Sequence, residues 1–194
     1  MEENTSDVIK IEAYHGTAEA YKDSILRERK MKKSSREDDW AGTGIYYFVD
    51  EKEEDLIKKC VLWALNIKRY KTAAVVKNVI EIDRDKILNL KDKAQQDMFQ
   101  NYRQILYDRA NQCAIKSGRK LSEKYRDMRK LDCLTTNIVC GKYGFDLVKR
   151  DAYINFYRTM PDNREYPRSD IPNATIINLR DESYITEWGE CDAK

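Results

Sequence analysis

Apolar and polar positions alternate at the start of the chain. In "VIKIEAY", Ile9, Ile11 and Ala13 are separated by Lys10 and Glu12, which predicts a strand over about 8–14. The spacing of Ala20, Ile25 and Leu26 then predicts a helix over about 18–29, with Thr17 placed to cap it. A polar stretch, "KKSSREDDW", leads to a second strand, "GIYYFV", at 44–49. Leu56, Cys60, Trp63, Ala64 and Ile67 share one face of a helix expected from about 52 to 70. "AAVVKNVIEI" at 73–82 reads as a strong strand, and "KILNL" at 86–90 extends or follows it. Residues 92–140 have helical character, as two helices broken near Ser117 and Gly118. Three strand-like runs come next: "FDLVKR", "AYINFYR" and "ATIINLR" at 174–180. "ESYITEW" is expected to pair as a last edge strand. All three prolines fall between 161 and 172, in "MPDNREYPRSDIP", which reads as one long loop of the kind that often carries function. Strands at both ends with helices between them predict an α+β fold rather than repeated βαβ units. A length of 194 residues fits one domain.

Charge and cysteine usage narrow the function classes. No run of 18 apolar residues is present, so no membrane span is expected, and the acidic start "MEENTSDVIK" is unlike a secretory leader. The five cysteines form no C-x-x-C pair, which argues against a disulfide framework and against a tetrahedral zinc site. The expectation is a reduced, cytoplasmic protein without a metal. The net charge of +2 is unevenly spread: −4 over 1–60, +3 over 61–100, +7 over 101–150 and −4 over 151–194. The basic block includes "SGRKLSEKYRDMRK" at 117–130. It reads either as a solvated helix face or as a docking surface for a polyanion such as RNA or DNA. Tyr102, Tyr107 and Tyr125 lie in the same block and can serve as core or as stacking platforms for bases.

His15 is the only histidine of the chain, and it lies in "YHGT" at 14–17. A second segment, "WAGTGIYYF" at 40–48, also sets glycines beside aromatic side chains at a strand end. Glycine lets backbone approach a flat ligand, aromatic rings stack on it, and an imidazole can hold a hydroxyl by hydrogen bond. Each residue also has an ordinary structural role open to it, the histidine as a backbone-bonded side chain and the tyrosines as strand packing.

In this order and at this separation, "YHGT" and "GTGIYYF" resemble the first two motifs of ADP-ribosyltransferases of the diphtheria-toxin and poly(ADP-ribose)-polymerase branch. "VLWAL" at 61–65 is loosely similar to a helix that follows the second motif in many relatives, and "YPRSDIPNATIINLR" at 166–180 is a weaker echo. The flanks look most like small bacterial toxin and phage-defence transferases. The resemblance implies split antiparallel β-sheets with flanking helices and a helical insertion at about 92–140. It implies NAD+ as co-substrate, held by His15, Gly16, Thr17, Gly44, Tyr46 and Tyr47. His15 would grip ribose hydroxyls, the Gly16 backbone would meet the nicotinamide carboxamide, and Tyr46 would stack on the nicotinamide ring. It also implies a macromolecular acceptor, nucleic acid or protein, and, for a toxin, an antitoxin protein as partner.

The third family motif differs here. The family places a glutamate at the start of the last core strand, and "ATIINLR" puts Ala174, Thr175 or Ile176 there. Members with a neutral residue at this position transfer a single ADP-ribose or lose activity. Two acids are candidates to stand in. Glu165 lies in the long loop before the strand and is preferred. Glu182 follows the strand, in "DESYI", about 20 Å from its start at ~3.3 Å per residue. The expected function is therefore mono-ADP-ribosyl transfer, with a catalytically silent NAD+- or nucleic-acid-binding module of the same fold as the alternative. The RNA 2′-phosphotransferase branch, which also begins with His-Gly, fits "GTGIYYF" poorly.

Overall fold

A computed structural model describes residues 7–157 and 169–192. In chain order its main elements are β1 (Val8–Thr17), α1 (Glu19–Glu28), β2 (Ile45–Val49), α2 (Glu53–Leu62), β3 (Ala74–Asp83), β4 (Ile87–Asn89), α3 (Lys93–Lys116), α4 (Glu123–Arg126), α5 (Met128–Tyr143), β5 (Leu147–Ala152), β6 (Ala174–Leu179) and β7 (Ile185–Cys191). The fold is α+β. Its seven strands lie in the order β4-β5-β6-β2-β1-β3-β7, antiparallel except for the parallel β4–β5 pair. The edge position expected for "ESYITEW" is where β7 lies, after a short 3-10 turn at Glu182–Tyr184.

Strand alternation sorts the core into two faces. Ala13, Ile45, Tyr47, Val49, Ile177 and Leu179 point to one face, where Ile25 and Leu26 of α1 and Met31 pack on them. Tyr14, Phe48 and Ile176 point to the other, covered by Leu56 and Cys60 of α2. Farther along that second face, Leu88 and Val148 meet Phe99 of α3 and Val139 and Cys140 of α5. β3 and β6 sit inside the sheet with both faces covered, so their sequences read as nearly continuous apolar runs.

One joint in the sheet is weak. β1 and β3 pair over ten consecutive residues, and β2 and β6 over five. Between β1 and β2 only Tyr14 and Phe48 are in register. Residues 15–17 of β1 and 45–47 of β2 form no ladder pairs with one another, so a single pair joins β1 to β2.

Several local expectations are corrected. Thr17 does not cap α1: it is still in β1, paired with Ala74 and 5% exposed, so Ala18 takes the N-cap without a side-chain bond. The helix expected over 52–70 is α-helical only to Leu62 and continues as a π turn, Trp63–Ile67, closed by the Lys68 N–H bonding the Trp63 carbonyl at 3.0 Å. "AYINFYR" forms no strand after Ala152 in its described part. Asn173 occupies the position of a strand partner, accepting from the Ile154 N–H at 2.8 Å and donating to the Ile154 carbonyl at 2.9 Å. Most of the proline-rich loop lies outside the described residues.

Candidate active site

The site lies where the sheet opens. His15 stands on the face of β1 that carries Ala13, half-buried, with the Tyr47 ring edge-on to it at 5.8 Å between centroids. Its Nδ1 lies 2.8 Å from the Tyr46 carbonyl oxygen, across the gap between the two strands. A carbonyl can only accept, so Nδ1 carries the proton and Nε2 is left as a bare acceptor. Burial pushes the imidazole pKa below its ordinary value, the Tyr46 carbonyl partly opposes this, and nearby Lys68 lowers it further. The result is a neutral histidine, fixed in one tautomer, whose other ring nitrogen can accept a hydroxyl hydrogen.

Gly16 follows, and its lack of a side chain has a local cause. A Cβ there would lie 2.2 Å from the Cys60 carbonyl oxygen, so α2 can rest on β1 only if residue 16 is glycine. Gly44 is equally crowded: a Cβ would meet Asn178 Oδ1 at 2.3 Å and the Leu179 carbonyl at 2.6 Å. Its backbone forms a two-bond bridge with Ser34, at 2.8 and 3.0 Å, which ties the connection after α1 to the start of β2.

Tyr46 points to the other face. Its hydroxyl accepts from the Ala41 N–H at 2.8 Å and donates to the Gly42 carbonyl at 2.7 Å. Burial holds this phenol protonated, well above its ordinary pKa. The ring is therefore locked in place beside the opening. Tyr47 is 1% exposed, with its hydroxyl on the Met31 sulfur at 3.4 Å. It supports the imidazole from behind.

A cleft of about 1080 Å³ opens at this point. His15, Gly16, Thr17, Gly44 and Tyr46 line it, and five of the six residues assigned to cofactor binding from sequence thus come together. Tyr47 contributes instead to a small recess of about 30 Å³ behind His15, walled by Trp40, Phe48, Trp63, Ile154 and Ile176. The π turn presents Trp63 and Ile67 to the cleft and brings Lys68 to its edge. Such turns recur at functional sites because they shift side chains out of helical register. Trp63 and Trp40 pack together at 5.7 Å, with Lys68 over the Trp63 ring and Arg129 over the Trp40 ring.

The electrostatics of the cleft were not singled out by the sequence motifs. Lys30, Lys32, Lys33, Lys68 and Arg129 all line it, and none forms an ion pair among the described residues. The signal lay in "RKMKKSSR" at 29–36, hidden because the surrounding segment is acidic on average. The acids on the wall are Asp38, paired with Arg36 at 2.9 Å, and Asp39, which accepts from the Arg36 N–H at 2.9 Å.

The two glutamates considered from sequence fare differently. Glu182 does not line the cleft, and its carboxylate accepts from the Met31 N–H at 2.6 Å. Glu165 lies outside the described residues. At the start of β6, Thr175 donates to Asp151 at 2.7 Å in a charge cluster with Lys91, and Ile176 faces the recess.

The chain matches no family model, and no curated protein matches its sequence. Geometry and chemistry therefore carry the functional reading. Among the described residues no helix is long and apolar enough to cross a membrane, and no group of three or more His, Cys, Asp or Glu is placed to hold a metal ion.

Proposed function

We propose that the protein is a mono-ADP-ribosyltransferase that takes ADP-ribose from NAD+ and places it on a macromolecular acceptor. The observation that carries this reading is the opening between β1 and β2, where a neutral histidine of fixed tautomer faces a cleft edged by five cations that form no ion pair among the described residues. A dinucleotide asks for both features: hydroxyl acceptors for ribose and positive charge for its diphosphate. The cleft is also roomy enough, since ligand sites generally occupy about 300–1,000 Å³ and this one slightly exceeds that range.

In this reading His15 Nε2 accepts a ribose hydroxyl, while the Tyr46 carbonyl keeps the imidazole from turning. Lys30, Lys32 and Lys33 hold the diphosphate from the connection between α1 and β2. The locked ring of Tyr46 and the Trp40–Trp63 pair give flat apolar surface against which the nicotinamide lies. Bound NAD+ supplies an activated C1′–N bond: on cleavage the bonding pair goes to the nicotinamide nitrogen, an acceptor lone pair closes the new bond at C1′, and the acceptor's proton leaves to solvent. The protein contributes by orientation and by keeping water from the sugar, and no proton transfer is assigned to His15.

A module that binds NAD+ without transferring it is the second reading, favoured by one observation. Among the described residues no glutamate lines the cleft. Incubation with adenylate-labelled NAD+ and separate RNA, DNA and protein pools distinguishes the two. Transfer predicts label on one pool and stoichiometric nicotinamide release. Binding of NAD+ with neither label nor nicotinamide release would establish the silent module instead.

A further inference from the structure

The cleft holds more positive charge than a dinucleotide needs, and the surplus continues out of it. NAD+ brings two phosphate charges, whereas five cations without an ion pair among the described residues line the cleft. Arg129, on the first turn of α5, is one of them, and its guanidinium lies over Trp40 at 5.8 Å. The chain leading into Arg129 is the turn and short helix over 117–126, which carries Arg119, Lys120, Lys124 and Arg126. None of these four pairs with a carboxylate among the described residues. Asp127 caps α5 by accepting from the Arg129 and Lys130 N–H groups, so α4 and the start of α5 are held as one corner. Lys130 fastens this corner through ion pairs with Glu123 at 2.8 Å and Glu37 at 3.9 Å, the latter on the loop that forms the cleft wall. The four cations of 117–126 thus lie on the segment that leads directly into Arg129, the residue of α5 that lines the cleft. Tyr125, under Lys124 Nζ at 5.1 Å, adds an aromatic face to that segment.

Resting on the transferase reading above, we propose that the acceptor is a single-stranded polynucleotide, its backbone laid along 117–126 and one base turned into the cleft at Trp40 and Arg129. Phosphates every few ångströms match a segment rich in Lys and Arg, and rings beside them take stacked bases without regard to sequence. A protein acceptor has no comparable demand for charge. The depth of the site selects the strand form. His15 is half-buried among the residues that line the cleft, and a base held in a duplex cannot reach a half-buried centre unless it leaves the stack.

Fluorescence anisotropy of the full chain, without NAD+, with labelled 16-nucleotide mixed-sequence DNA and RNA tests this separately from the transferase reading. Single strands are expected to bind at 50 mM salt, with affinity falling as salt rises. The double variant Lys124→Glu, Arg126→Glu is expected to bind at least tenfold more weakly. Its log–log salt slope is expected to be shallower by about 1.4, the loss of two phosphate contacts on a single strand. The charge-matched control Lys52→Glu, Lys58→Glu, on exposed positions away from the cleft, is expected to bind like the parent. Whichever of DNA and RNA binds more tightly is the acceptor class. No binding of either at low salt, an equal loss in the control, or duplex binding as tight as single strand overturns the proposal. In each of those cases NAD+ binding, measured alone, still judges the transferase reading.

Discussion

His15 is the one histidine of the chain, so its imidazole can be followed alone by NMR. The geometry predicts an Nδ1–H tautomer and a titration midpoint below the ordinary 6.5. A midpoint at or above 6.5, or an Nε2–H tautomer, would contradict the ribose-acceptor role. The depressed native pKa also has a stability consequence. Its contribution is fully present above the unfolded-state pKa near 6.5 and is lost as pH falls through the lower native value, because the unfolded chain takes up the proton first. Glu182 is the residue whose role the structure most changes. With its carboxylate on the Met31 N–H, Glu182→Gln is expected to cost about 1 kcal/mol in a denaturant titration and to leave transfer intact. Loss of transfer in a folded Glu182→Gln protein would return it to the chemistry. Gly16→Ala is expected to destabilise by about 3 kcal/mol, since its Cβ would meet Cys60 backbone that cannot yield without moving α2. "YHGT" and "GTGIYYF" were enough to single out His15 and Tyr46 as residues of one cleft, because both lie beside glycines on regular strands. They could not tell that Gly16 and Gly44 are demanded by packing, because the neighbours concerned, Cys60, Asn178 and Leu179, are distant in sequence.

At the scale of elements, the strands and the long helices were legible wherever one periodicity held throughout. β1, β3 and β6 alternate or run apolar, and the break between α3 and α4 lies at the Ser117-Gly118 signal. Legibility failed where a tertiary contact decided the outcome. The π turn at Trp63–Ile67 has no sequence signature, and it is what brings Trp63 and Lys68 to the cleft. "AYINFYR" has strand composition, but the Asn173 side chain occupies the backbone groups of Ile154 that a neighbouring strand would need. The connection from 29 to 36 read as polar loop, and its role as a cleft wall depends on the Ser34–Gly44 bridge. Helix stability should also be uneven. α3 has one buried residue, Phe99, near its start, whereas α5 has six. Amides of 105–116 are therefore expected to exchange with deuterium at least tenfold faster than those of 131–140, read by mass spectrometry. Equal protection of the two segments would contradict this uneven stability.

For the whole molecule, the deciding feature is that a seven-stranded sheet comes apart at one end of a single joint. The two strands at the joint are each firmly held on their other side, β1 by β3 and β2 by β6, so the opening is built in and needs no strand to melt. It lets the cleft reach both faces of the sheet at once: Thr17, Tyr21 and Met31 from one, Trp40, Tyr46 and Trp63 from the other. The cationic edge then adds positive charge at that place. Sequence resemblance pointed to this joint through two short motifs, but the gap itself is a property of register and is invisible to periodicity. Calorimetric titration of NAD+ into the parent and into His15→Ala tests the claim most directly, with folding of both checked by circular dichroism. The parent is expected to bind one NAD+ per chain and His15→Ala to bind at least tenfold more weakly with an unchanged fold. No binding by the parent, or equal affinity in the two folded proteins, would contradict an NAD+ site between β1 and β2.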